Sequence, residues 1–163
     1  MQWRVSFLIA TSSLVLLTGP NAFAQLNQRG VIGSFSSQDE ISNQICVQDT
    51  INFTTIADRR FTQGGTAAEE IVVTFSGVFS PQGAVADAAV VRLVVSGTGV
   101  GDHAGAGVRI YDTAGGTTAR SYTFVSDAPG VNPGAARVRI QMRSDTGGDG
   151  ICVDQRTLVI LHQ

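Results

Sequence analysis

The arginines of Arg137-Val138-Arg139-Ile140-Gln141-Met142-Arg143 stand two and four residues apart. In an extended strand successive side chains point to opposite faces, so Val138, Ile140 and Met142 turn inward while Arg137, Arg139, Gln141 and Arg143 turn outward. Guanidinium groups aligned in this way can fork onto carboxylate or phosphate oxygens. The stretch is therefore a candidate ligand-binding face for an acidic glycan or an anionic head group. The competing account is a solvated strand face, its charge neutralised by nearby Asp and its like-charge ladder discouraging edge-to-edge pairing.

Nucleophilic catalysis finds less support. It needs a base held against the nucleophile, and the only histidines are His103 and His162. His103 follows Asp102 inside the glycine-rich run Gly97 to Gly107, where adjacent side chains diverge and the backbone lacks rigid support. His162 stands one residue from the last position and reads as capping the final strand. The glycine-rich run itself reads as a loop, since it lacks the Lys-Ser/Thr and the following helix of a phosphate cradle. No Gly-x-Ser-x-Gly elbow occurs. Glu69 and Glu70 are neighbours and point to opposite faces of a strand, so they do not form the spaced carboxylate pair of a glycosidase.

Asp145-Thr146-Gly147-Gly148-Asp149-Gly150 carries oxygens at the first and fifth positions of a calcium loop. Gly147 stands at the third position and Arg156 at the twelfth, where a bidentate Glu belongs, so an Asp/Gly turn is expected. Asn52-Phe53-Thr54 fits a glycosylation sequon, a pattern short enough to arise by chance. The residues nominate no catalytic group, no metal site and no cofactor, and the chain reads as non-enzymatic.

Residues 1–24 read as a signal peptide. Met1-Gln2-Trp3-Arg4 is short and positive, Val5 to Leu17 carries no charge, and Ala22-Phe23-Ala24 places small residues where a signal peptidase reads. Thirteen uncharged residues fall short of the ~20 that cross a hydrocarbon core, so cleavage after Ala24 is expected, with a secreted or periplasmic product. No later stretch is a transmembrane candidate. In an oxidising compartment the only cysteines, Cys46 and Cys152, have one possible pairing. Their settings match, Ile45-Cys46-Val47 beside Ile151-Cys152-Val153, as expected of two strand entries bridged together. A metal or catalytic thiol is the rival reading, and two cysteines without nearby histidines make a poor zinc site.

The 163 residues hold eleven Arg, no Lys and thirteen acids, for a formal charge of −2. That balance lacks the cationic excess by which a general nucleic-acid binder releases counterions. An apolar fraction of 43% excludes a wholly disordered chain. Residues 25–44, rich in Gln, Asn, Ser and Gly, read as a flexible leader before a domain spanning 45–163.

Strand signals then recur between turn residues. They cover Ile51 to Thr55, Glu70 to Phe79, Ala88 to Ser96, Val108 to Asp112, Thr118 to Val125, Arg137 to Ser144 and Arg156 to His162. Thr113-Ala114-Gly115-Gly116 predicts a hairpin between two of them. Val90, Val91, Val94 and Val95 make both faces of one strand apolar, which predicts a central position. The count fits an all-β, antiparallel two-sheet sandwich of seven to eight strands, jelly-roll-like rather than immunoglobulin-like, with one disulfide.

The C-terminal third runs from Phe124-Val125-Ser126-Asp127-Ala128-Pro129-Gly130 through the arginine strand to Cys152-Val153-Asp154 and Arg156-Thr157-Leu158-Val159-Ile160-Leu161-His162. It resembles small, uncharacterised secreted bacterial β-sandwich proteins. The resemblance implies a bacterial exported sandwich and brings no activity and no site residues. The expected function is thus a binding module or envelope-associated surface protein that recognises a glycan or anionic surface. The alternative is a structural or assembly subunit that packs with itself or with another envelope protein.

Overall fold

The computed structural model describes residues 34–41, 43–97, 100–126 and 130–162. The expected signal peptide, its cleavage site and residues 25–33 of the expected leader lie outside the described residues, as do Asp127 to Pro129 of one turn. Ten strands follow in order: β1 (Ser34–Ile41), β2 (Ile45–Val47), β3 (Thr54–Gln63), β4 (Val72–Pro81), β5 (Ala88–Gly97), β6 (Val100–Ala104), β7 (Val108–Asp112), β8 (Thr118–Val125), β9 (Gly134–Ser144) and β10 (Ile151–His162).

All pairings are antiparallel. Sheet A runs β1-β10-β4-β8, with β2 sharing the β1 lane beside β10. Sheet B runs β3-β9-β5-β6, with β7 sharing the β6 lane beside β5. Ten segments therefore fill eight lanes. The pairs nest, β2 with β10, β3 with β9, β4 with β8, and β5 with β6 and β7, so one long antiparallel ribbon rolls into two sheets. This is a jelly roll, the all-β sandwich that strand count and spacing predict. Cys46 and Cys152 lie directly across from each other on β2 and β10 and form the expected disulfide.

The core follows from alternation. Ile71, Val73, Phe75 and Phe79 on one side, and Val138, Ile140 and Met142 on the other, are fully buried between the sheets. Phe79 meets Phe75 edge-on at 6.4 Å and stacks on Tyr111 of β7 at 5.4 Å, which joins the two sheets through aromatic contact. Strand β5 is central, with Val91 and Leu93 in the core and Val90 and Val94 buried on the outer side.

A bulge bends β10 at Gln155, whose φ is 45°, so that Gln155 and Arg156 together oppose Gly77. A Cβ on Gly77 would stand 2.8 Å from Val153 Cγ2, so the residue facing the bulge has no room for a side chain. Arg156 is buried there, and its Nη2 donates to the carbonyl and side-chain oxygens of Asn43. Burial lowers the Arg156 pKa from its ordinary value, and the Asp154 carboxylate works in the opposite direction.

Four expectations need correction. The expected leader contains β1, which pairs along β10 from Ser34 opposite His162 to Ile41 opposite Arg156. The glycine-rich stretch expected as a loop contains β6, which pairs Ala104 with Val94 and His103 with Val95. Both strands are held by backbone hydrogen bonds to a partner edge, which side-chain composition does not report. Ile51 lies in a turn before β3, 83% exposed, because Asp49 Oδ1 accepts from the backbone N–H groups of Ile51 and Asn52. Finally, β7 and β8 are no hairpin, for β7 pairs with β5 in sheet B and β8 with β4 in sheet A. The Thr113–Gly115 3-10 turn carries the chain between sheets, secured by the Tyr111 hydroxyl donating to the Gly116 carbonyl.

Candidate functional site: the outer face of sheet B

Strand β9 places Arg137, Arg139, Gln141 and Arg143 on the outer face of sheet B, alternating with buried Ala136, Val138, Ile140 and Met142. The expected alignment of the three arginines is therefore observed. The strand is interior, flanked by β3 and β5, so its charges guard no sheet edge. Cross-strand register adds further groups to the same face. Arg60 and Asp58 of β3 oppose Arg137 and Arg139, Arg92 of β5 opposes Gln141, and Arg109 and Asp112 of β7 oppose Val90 and Ala88.

Each arginine of β9 has partners. Arg137 forks onto both carboxylate oxygens of Asp58. Arg139 pairs with Asp102, which also draws on Ser96. Arg143 donates to the carbonyls of Thr50 and Ser144 at 2.8 and 3.0 Å and stands 3.9 Å from Asp145. Arg92 lies 3.9 Å from the centroid of the Phe53 ring and donates to Gln141 at 2.9 Å, while Arg143 approaches the same ring at 5.4 Å. Phe53 thus serves the face as a platform for two cations, a role its place in the predicted strand alternation did not disclose.

The pairing shifts the carboxylates. The Arg137 hydrogen bond holds Asp58 below the ordinary carboxylate value against the opposing effect of burial, and the Arg139 hydrogen bond does the same for Asp102. Both stay ionised at neutral pH, so the face is an interleaved array of six Arg and four Asp, Asp145 being the fourth. In a chain of net charge −2 this one face carries an excess of two positive charges.

The other residues singled out in the sequence are placed apart. Asp102 turns to Arg139 while His103 is exposed at the mouth of a cavity, so the two do not act together. His162 packs against the Phe61 ring at 4.6 Å. In the Asp145 to Gly150 turn, Asp145 faces Arg109 and Arg143, and Asp149 accepts from the Val85 N–H at 2.9 Å. Among the described residues, no three His, Cys, Asp or Glu side chains gather as a metal-ligand set. No helix of the described residues is long and apolar enough to cross a membrane.

Two features escape sequence reading. A cavity of about 300 Å³ opens between the sheets where β8 and β6 form their edges, floored by Leu93, Val95, Tyr122, Phe124 and Val131. Gly97, Gly105 and Gly130 border it. The second is the outer face of sheet A. Reading across β10, β4 and β8, one row is Leu161, Val72 and Val125, the next Val159, Thr74 and Thr123, and the third Thr157, Ser76 and Ser121. The fourth row, with Asp154 beside Val78 and Ala119, brings the single charge. Only the register of three distant strands assembles this surface of low charge.

No protein-family profile matches the chain, and no curated protein matches it in sequence. The fold does recur among solved structures. The infectious bursal disease virus Gt strain structure is 12% identical with a TM-score of 0.50, over 78% of this chain and 32% of that one. The T13 IBDV viral particle gives 12% and 0.50, over 80% and 31%. The EclA C-terminal domain, a sugar-binding protein, gives 16% and 0.39, over 74% and 80%. The chain spans about a third of the length of the viral chains it matches, and what the two share at this identity is the jelly-roll fold.

Proposed function

We propose that this chain is an exported, non-enzymatic binding module that recognises an acidic polysaccharide through the outer face of sheet B. The observation that carries the reading is the concentration of six arginines against four aspartates on that face of a net-negative chain. Each guanidinium has five N–H donors, and one carboxylate partner engages at most two of them in a fork. Donors left over are available to the carboxylates of a polymer lying across the sheet. The Asp partners hold the arginine planes in place before the ligand arrives, which reduces the ordering cost of binding.

Titration calorimetry with polygalacturonate, and with neutral dextran as control, tests the reading in two directions. Arg137→Ala, Arg139→Ala and Arg143→Ala together weaken polygalacturonate binding at least tenfold, about 1.4 kcal/mol or more, the scale of one lost charge-assisted hydrogen bond. Asp58→Asn with Asp102→Asn frees guanidinium donors and tightens it. A purely structural role for the arginines would not give opposite signs. Equal binding of the two polymers, or affinity unmoved by both sets of changes, overturns the reading.

A further inference from the structure

The two outer faces of the sandwich differ in kind. The outer face of sheet B with its adjoining turn carries ten charges, whereas the four rows that β10, β4 and β8, three of the five strands of sheet A, share carry one, at Asp154. A sheet face that only meets water is normally polar and charged, and loss of charge marks the centre of an interface. The row of Leu161, Val72 and Val125 is apolar, and Val125 is 52% exposed. Beside it, the hydroxyls of Thr74 and Thr123 lie 3.0 Å apart, as do those of Ser76 and Ser121.

We propose that two copies of this chain stack back to back through the outer faces of sheet A, related by a two-fold axis. In such a contact each group meets its own kind near the axis. A hydroxyl both donates and accepts, so Ser76 and Thr74 can pair with their own copies. A carboxylate only accepts and a guanidinium only donates, so neither can pair with its own copy on the axis. The three strands give a surface of about 14 by 34 Å, roughly 500 Å² per copy and about 1,000 Å² in the pair, the level at which specific interfaces begin. Stacking in this way turns the arginine faces outward at both poles and leaves the Cys46–Cys152 bridge intact. The pair is then bivalent toward any ligand of sheet B, though the stacking itself does not depend on that ligand.

Sedimentation velocity of the oxidised chain across concentration tests the proposal. The expected result is a reversible monomer-dimer equilibrium. Thr74→Arg, on an interior strand and facing outward, sets guanidinium groups of the two copies against each other and raises the dissociation constant at least tenfold. Ser76→Asp does the same by like-charge repulsion and serves if Thr74→Arg fails to fold, as judged by its melting curve. Arg137→Ala, on the opposite sheet, leaves the equilibrium unchanged. A monomer at every concentration overturns the proposal, as does a dimer that survives both sheet A substitutions or one broken by Arg137→Ala. Co-sedimentation with a different protein while the chain alone stays monomeric also overturns it, since the face then serves another partner.

Discussion

Replacing Cys46 and Cys152 together by alanine is expected to lower the unfolding free energy by roughly 4–5 kcal/mol. The two cysteines are 106 residues apart, and the bridge ties β2 to β10, the first and last strands of the nested ribbon. The β3–β9, β4–β8 and β5 pairs lie inside that closed loop, so the bond restricts most of the unfolded chain. A loop of this length carries close to the largest entropic effect that a single bridge can have. In the folded state the strands are already in register at this point, and the bond asks for no rearrangement. At about 3–5 °C per kcal/mol for a domain of this size, the melting temperature falls by roughly 15–20 °C. Denaturant unfolding of the oxidised chain, the reduced chain and the double variant checks this. The second and third should coincide, well below the first. A double variant within 1 kcal/mol of the oxidised protein would show that the bridge closes no stabilising loop.

The second large effect is expected at Asp87, which is 2% exposed at the start of β5. Its carboxylate accepts from the Ser144 hydroxyl at 2.6 Å, the Ala88 N–H at 2.7 Å, and the Thr146 hydroxyl and N–H at 3.0 and 3.1 Å. One side chain thus fastens the entry of β5 to the end of β9 and to the turn that follows. Asp87→Ala leaves these donors without an acceptor in a buried setting and costs about 3–5 kcal/mol. Burial by itself would raise the Asp87 pKa, but the hydrogen bonds from Ser144, Ala88 and Thr146 outweigh it and lower the value below that of an ordinary Asp.

The sign of the pH effect follows. A carboxylate whose pKa is lower folded than unfolded stabilises the fold above its unfolded pKa, near 4. It loses that contribution as pH falls through the folded value. Asp58 and Asp102 shift in the same direction, so the wild-type protein weakens progressively below about pH 4. Thermal melts between pH 2 and 7 should show the Asp87→Ala curve lying well below wild type at neutral pH and closing on it in acid. A constant gap across that range would mean that Asp87 acts through packing and not through its charge.

The elements most visible in the sequence were those whose side chains alternate against a core. Ile71, Val73, Phe75 and Phe79, and likewise Val138, Ile140 and Met142, are buried where alternation places them. The central place of β5 was legible in its doubled valines, and the bridge in the matched settings of two cysteines. The candidate site was legible only in part. Period two aligned Arg137, Arg139 and Arg143, but nothing local indicated that Asp58, 79 residues before Arg137, would fork onto it. Strands β1 and β6 were hidden because serines, glycines and glutamines carry no burial pattern, and their pairing is a property of the edges they join.

Local patterns were thus sufficient for the class of fold, the inward and outward sides of each major strand, and the covalent tie between its ends. These depend on the period of the chain and on the chemistry of single residues. Tertiary structure alone decided that β7 and β8 part into different sheets, that Asp groups neutralise much of the arginine face, and that hydroxyls and valines from β4, β8 and β10 merge into one surface of low charge. The reason is physical. A strand's own residues set which way its side chains point, but a face is a product of register, and register is chosen by partners far away in the chain.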